Sequence, residues 1–139
     1  MARDTILVVD DVPELSEMIQ LYLAQLFGWR VVTANNIEEA TEMLRMEIGR
    51  VAAVISDDKM GGVGKNGSDL YFQRSSDLEA HSIPFILMSG TNDAHFIETA
   101  KSFGMHPVGK SFRLPALAEL LHRLVPVPVR QLSVPSGEL

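Results

Sequence analysis

Short apolar runs rich in valine and isoleucine alternate five times with longer segments in which apolar residues recur at helical spacing. The short runs are nearly continuous in apolar character, as expected of strands buried on both faces. This alternation is typical of a parallel sheet covered by helices, so we predict an α/β fold. The predicted strands are 5–9, 30–34, 51–56, 84–88 and 105–109, and the predicted helices are 13–27, 36–48, 68–78, 92–103 and 114–124.

The last strand and the C-terminus depart from this pattern. The fifth run contains Pro107, which has no N–H to donate, so we place this strand at an edge of the sheet. Three prolines and no apolar period follow the last helix. With 139 residues, the chain has the size of one domain. We predict a domain over 1–125 and an extended or disordered tail over 126–139.

Composition narrows the class of protein. The chain has no cysteine, which excludes disulfide scaffolds, thiolate zinc sites and cysteine nucleophiles. A net charge of −6 argues against binding to nucleic acid or to anionic lipid surfaces. The sequence contains neither a transmembrane-length apolar run nor a signal-peptide core, so we expect a cytoplasmic protein without membrane insertion.

Polar residues follow four of the predicted strands, and the carboxyl ends of parallel strands share one edge of the sheet. Each residue alone has a simpler interpretation. Asp11, for example, fits the N-cap of the first helix, with Glu14 three residues later. Acidic residues follow the first and third strands, a hydroxyl follows the fourth and an ammonium the fifth, and this combination favours a functional site. The candidates are Asp10, Asp11, Asp57, Asp58, Ser89 and Lys110.

Such a set of side chains suits phosphoryl transfer. Carboxylates held close together repel one another unless a cation lies between them, and hard oxygen ligands suit Mg²⁺. With charge neutralised, one carboxylate can attack phosphorus, while a hydroxyl and an ammonium hold the phosphoryl oxygens. The pattern therefore predicts Mg²⁺-dependent phosphoryl transfer to an aspartate.

The chain resembles the response-regulator receiver domain of two-component signal transduction, in particular a stand-alone, chemotaxis-regulator-like receiver. The resemblance extends over about residues 5–124. It implies a flavodoxin-like (βα)5 three-layer sandwich whose parallel five-stranded sheet has the order 2-1-3-4-5. The matching segments are Ile6-Leu7-Val8-Val9-Asp10-Asp11, Ile55-Ser56-Asp57-Asp58-Lys59-Met60, Ile86-Leu87-Met88-Ser89-Gly90 and Gly109-Lys110-Ser111-Phe112.

The resemblance also assigns roles to residues. It implies that Asp57 is the phosphoacceptor, that Ser89 contacts the phosphoryl group and that Lys110 pairs with it. The family gives no role to Asp58, which we expect to face solvent. The implied metal ligands are Asp11 and Asp57, the backbone carbonyl of Lys59, and Asp10 through a water.

The implied partners are a sensor histidine kinase or a histidine phosphotransferase, together with an unknown downstream target protein. The chain would catalyse its own phosphorylation and dephosphorylation without being a conventional enzyme. We expect either a stand-alone regulator or a phosphorelay intermediate.

Three positions depart from the family pattern. Pro107 stands where the family has its switch aromatic, Ser111 replaces the proline after the lysine, and Gly61 replaces the proline after Met60. These departures leave open an alternative, a receiver-like protein–protein interaction module that functions without phosphorylation. A nucleotide-binding loop at Gly62–Lys65 is disfavoured, because Lys59 and Asn66 stand where that motif needs glycine and serine or threonine.

Overall fold

The computed structural model describes residues 3–60, 65–90, 94–109 and 113–128. Over these ranges strands and helices alternate without exception, as the apolar pattern predicts. The elements are β1 (Thr5–Val9), α1 (Pro13–Phe27), β2 (Arg30–Ala34), α2 (Ile37–Glu47), β3 (Val51–Asp57), α3 (Gly67–Ala80), β4 (Phe85–Ser89), α4 (Ala94–Ser102), β5 (His106–Gly109) and α5 (Leu114–Leu124).

The five strands form one parallel sheet in the order β2-β1-β3-β4-β5, which confirms the predicted flavodoxin-like topology. The reversal of strand order lies between β1 and β3, so the carboxyl ends of these two strands flank the crevice in which ligands bind in open α/β sheets. The strand β5 lies at an edge, as predicted from Pro107.

Two apolar clusters hold the helices against the sheet. On one face, Leu7 and Val9 of β1 pack with residues of α2, α3 and α4. On the other face, Ile6 and Val8 pack with residues of α1 and α5. Because successive strand residues point to opposite faces, a nearly continuous apolar strand supplies both clusters. The result is the predicted three-layer sandwich.

Four elements, β1, α1, β2 and α5, have the predicted boundaries, and the boundaries of the others differ from prediction by one or two residues. The strand β3 extends to Asp57 and β4 to Ser89, so both predicted site residues belong to the ladder. The helix α3 begins at Gly67, where Asn66 N donates to the side chain of Asp69 at 2.8 Å. Among the described residues, no helix is both long and apolar enough to span a bilayer.

The simpler interpretation of Asp11 as the N-cap of α1 is wrong. The N-cap of α1 is Val12, which makes no side-chain hydrogen bond. Val12 N instead donates to Oδ1 of Asp10 at 2.9 Å. The buried carboxylate at the end of β1 thus accepts the hydrogen bond and fixes the turn into α1, which leaves Asp11 exposed.

Some predicted features lie outside the described residues. These are the loop residues Gly61 to Gly64, the helix start at Asn92, the residues Lys110 and Ser111, and the tail from Val129 onward.

Candidate functional site

Two aspartates end the neighbouring strands β1 and β3. Asp10 directly follows β1, is fully buried, and its N–H donates to the carbonyl of Ala34 at 3.0 Å. Asp57 is the last residue of β3 and is 2% exposed. Both strands are buried along their whole length, and backbone hydrogen bonds fix the positions at which these two side chains leave the sheet.

The side chains of Asp10, Asp11 and Asp57 form an acidic cluster. Each offers a carboxylate oxygen, and these three oxygens lie within 4.8 Å of one another. Two of the carboxylates are buried and one is exposed, so the cluster opens to solvent on the side of Asp11. Three convergent carboxylate oxygens are the donor set that hard divalent cations prefer. The residues therefore fit a metal ion, and the predicted convergence of these aspartates is confirmed.

Ser89 lies at the same edge of the sheet. It ends β4, is 5% exposed, and its Cα pairs with that of Gly109 at the end of β5. The strand β4 lies beside β3, where Met88 pairs with Asp57. The structure thus brings Ser89 to the strand next to Asp57. Lys110, which follows Gly109 in the chain, lies outside the described residues.

Lys59 has an exposed side chain, and its backbone carbonyl remains only a predicted metal ligand. Met60, by contrast, is buried in the apolar cluster with α2, α3 and α4. The chain therefore turns back into the core three residues after Asp57. This return limits how far the segment after β3 can move away from the acidic cluster.

The expectation that Asp58 faces solvent is wrong. Asp58 is 6% exposed, and its N–H donates to the carbonyl of Met88 at 2.9 Å, which continues the ladder with β4. Oδ1 of Asp58 accepts hydrogen bonds from N and Oγ of Ser68, at 3.4 and 3.3 Å. A carboxylate beside the N-terminus of a helix can accept hydrogen bonds from N–H groups that lack partners within the helix. Asp58 therefore anchors α3 to the end of β3.

Gly67 is a second residue whose structural role the sequence pattern did not indicate. Its N–H donates to the carbonyl of Asp58 at 2.6 Å. A Cβ placed on Gly67 would lie 2.2 Å from the carbonyl oxygen of Asp57 and 2.7 Å from Oγ of Ser56. Oγ of Ser56 itself donates to that carbonyl at 2.9 Å. Only glycine allows α3 to begin this close to the backbone of Asp57.

The edge strand β5 begins with His106 and Pro107, and Gly109 at its other end pairs with Ser89. Both are partly buried, and Pro107 pairs with Leu87 of β4. Burial lowers the pKa of His106 below its usual value, because the charged imidazolium loses hydration. This part of the strand therefore presents a neutral ring and a proline at neutral pH. It supplies no phenylalanine or tyrosine that could rotate between two positions.

A family model described as the response regulator receiver domain matches residues 6–122, which is most of the chain. A comparison with the curated proteins finds no match.

Solved structures of similar shape include receiver proteins from several bacteria. A response regulator receiver protein from Pseudomonas putida is 29% identical with a TM-score of 0.76, over 88% of this chain and 98% of that chain. A receiver domain protein from Clostridium thermocellum is 22% identical with a TM-score of 0.73, over 87% and 93% of the two chains. The Vibrio cholerae chemotaxis protein CheY4 is 22% identical with a TM-score of 0.71, over 87% and 98%. The two likenesses at 22% identity support the fold alone.

Proposed function

This chain belongs to the response regulator receiver domain family, and we propose that it is a cytoplasmic signalling protein that accepts a phosphoryl group on Asp57. The observation that carries the proposal is the acidic cluster of Asp10, Asp11 and Asp57 at the carboxyl ends of β1 and β3. Asp57 is the member of the cluster that pairs with β4, where its partner Met88 directly precedes Ser89.

In the proposed reaction a carboxylate oxygen of Asp57 attacks the phosphorus of a phosphohistidine or a small acyl phosphate. A bond forms between that oxygen and phosphorus, and the bond from phosphorus to the donor breaks with its electron pair leaving on the donor. The product is an acyl phosphate on Asp57. Hydrolysis by water regenerates the carboxylate and releases inorganic phosphate.

The residues around Asp57 orient this reaction. The buried ladder of β3 and the hydrogen bond from Ser56 Oγ to the Asp57 carbonyl fix the backbone of Asp57 at the acidic cluster. The hydroxyl of Ser89 would donate to a phosphoryl oxygen. Lys110 would pair with the same group as its charge develops.

The acidic cluster would bind Mg²⁺. Asp11 and Asp57 would bind it directly with the carbonyl of Lys59, and Asp10 through a water. When bound, the ion neutralises negative charge on the attacking carboxylate and on the phosphoryl oxygens. Asp10 is held for this role by the hydrogen bond that its Oδ1 accepts from Val12 N.

The proposed donors are a sensor histidine kinase or a histidine phosphotransferase, and the recipient of the signal is a downstream protein that reads a changed surface. Residues 1–125 would form the receiver and residues 126–139 a separate tail. The chain's own residues would catalyse both phosphorylation and dephosphorylation.

The proposal is tested by incubating the protein with an acyl phosphate donor and measuring intact mass. We expect one added phosphoryl group in the presence of Mg²⁺ and none when the ion is chelated. Asp57→Asn should abolish the addition, whereas Asp58→Asn, the same chemical change one residue away, should retain it. Equal incorporation by both variants would overturn the assignment of Asp57.

A second candidate function is a receiver-like interaction module that does not use phosphorylation. The observation that favours it is Pro107 in β5, where a rotating aromatic side chain is missing. The intact acidic cluster argues against it. Failure of the wild-type protein to accept a phosphoryl group or to bind a beryllofluoride mimic would favour this second function.

A further inference from the structure

An aromatic groove lies at the end of the sheet opposite the acidic cluster. It has a volume of about 690 Å³ and runs between α3, the start of β4 and the turn before β5. Its apolar wall includes Phe72 and Phe103, which are 48% and 53% exposed. These are large apolar areas to leave in contact with water. The groove therefore has the character of a binding surface.

The aromatic wall of the groove is held in place. The ring centroids of Phe72 and Phe103 lie 5.0 Å apart in an edge arrangement, and those of Tyr71 and Phe85 lie 5.3 Å apart. The hydroxyl of Tyr71 donates to the carbonyl of Phe103. These contacts join α3 to β4 and to the end of α4. The groove is therefore a preformed surface that a ligand would not have to order.

The C-terminal tail begins at this groove. Leu124, the last residue of α5, is one of the groove's lining residues, and Val125 after it has an extended backbone. Pro126 and Pro128 continue the chain without helix or strand. Proline-rich segments favour the polyproline II conformation, and such segments dock on aromatic-lined grooves.

The tail is long enough to extend along the groove. Residues 129–139 are eleven residues, which span roughly 34 Å in a polyproline II conformation. The wall of α3 from Tyr71 to Leu78 rises only about 10 Å. The tail therefore has ample reach. Because it is tethered at the groove, its effective concentration there is of order millimolar, so even a weak contact would be occupied.

The charges also match. Glu79 is the one acidic residue among the groove's described lining residues, and no lysine or arginine is among them. Arg130 is the one basic residue of the tail, and it stands five positions after Val125. The apolar residues within 129–139, which the aromatic wall would contact, are Val129, Leu132, Val134, Pro135 and Leu139.

We propose that residues 129–139 of the C-terminal tail bind back into this aromatic groove of their own chain, with Pro135 and the aliphatic side chains against Phe72 and Phe103 and with Arg130 near Glu79. The groove lies at the amino ends of β4 and β5, whereas Asp57 lies at the carboxyl end of β3. The contact therefore leaves the phosphoacceptor site open. It would occupy a surface otherwise available to another protein.

The test uses the full chain, which has no cysteine and so accepts a single spin label at Ser136→Cys. We expect the amide signals of Ser75, Leu78 and Glu79 to lose most of their intensity by paramagnetic broadening. Leu21, on the exposed side of α1 across the sheet, should keep its signal. Equal broadening on both faces of the protein would overturn the proposal.

Three variants make the test specific. The double change Phe72→Ala and Phe103→Ala should restore the α3 signals, whereas Leu21→Ala, which also removes an exposed apolar side chain, should leave the broadening intact. The emission of Trp29 in the core reports whether each variant is folded. Glu79→Gln should weaken the broadening as the charge pair is lost. Broadening that persists in the folded double variant would contradict the proposal.

A mixing experiment identifies the source of the tail. Isotope-labelled protein without the spin label is mixed with spin-labelled protein at natural isotope abundance. The proposal predicts no broadening in this mixture, because each tail binds its own chain. Broadening that appears in the mixture at the same groove signals would show that the tail of a second copy binds there, and it would refute the intramolecular contact.

Discussion

Replacing Gly67 by alanine should destabilise the protein, although the same change in most helices is stabilising. In the interior of a helix, alanine is favoured over glycine by roughly 0.5–1 kcal/mol. Gly67 is the first residue of α3, and its φ angle does not lie in the left-handed region. Backbone conformation alone would therefore predict a neutral or favourable change.

The surroundings of Gly67 reverse this expectation. The added Cβ would lie 2.2 Å from the carbonyl oxygen of Asp57, about 1.2 Å closer than ordinary van der Waals contact allows. The oxygen belongs to the backbone of a buried strand, and the second neighbour, Oγ of Ser56, is buried as well. Since neither can move freely, α3 has to shift away from β3. Overpacking of this kind costs about 1–3 kcal/mol.

The assay is urea denaturation followed by the fluorescence of Trp29, the one tryptophan of the chain, which is 2% exposed. We expect a loss of about 1–3 kcal/mol in the free energy of unfolding, or a fall of about 4–12 °C in Tm. Gly49→Ala is the matched control, because nothing lies within 4 Å of a Cβ at that exposed position. A Gly67→Ala protein as stable as the wild type would show that the close approach of Gly67 to the Asp57 carbonyl does not limit the residue at this position.

Three further predictions concern other contacts. His122 Nε2 accepts a hydrogen bond from Trp29 Nε1 at 3.0 Å, and burial lowers the pKa of His122. The stability that the neutral ring contributes is therefore present above about pH 6.5 and is lost as pH falls. Between about pH 8 and pH 5, the free energy of unfolding measured by urea denaturation should change less with pH in His122→Gln than in the wild type. Asp58→Ala should lower the free energy of unfolding by about 1 kcal/mol, measured by the same assay, because Ser68 N loses its acceptor. Gly104→Ala should lower the free energy of unfolding by about 1–3 kcal/mol, measured by thermal denaturation. The φ angle of Gly104 is 100°, and an added Cβ would lie 2.8 Å from the Tyr71 hydroxyl.

The sequence predicts most of the fold because strands that are buried on both faces form nearly continuous apolar runs. β1, β3 and β4 are buried along their whole length, and their apolar runs locate them to within one residue. Knowing where these strands end also locates Asp10, Asp57 and Ser89, since the carboxyl ends of parallel strands share one edge. The convergence of the three aspartates therefore follows from topology and strand position.

The positions of Asp58 and Gly67 could not be predicted in the same way. Both depend on how α3 approaches β3, and a ten-residue separation in sequence says nothing of a contact between Asp58 and Ser68. One local signal was available. Asn66 followed by Asp69 three residues later resembles a capping box and marks the start of α3 to within one residue. The close approach of Gly67 to the Asp57 carbonyl needed the packed structure.

Locating the modified residue shows whether Asp57 accepts the phosphoryl group. The protein is treated with an acyl phosphate donor and Mg²⁺, the acyl phosphate is reduced with borohydride, and the resulting homoserine is located by peptide mass spectrometry. We expect homoserine at position 57 alone. Homoserine at position 10, 11 or 58, or at no position in a protein that retains its fold, would contradict this expectation.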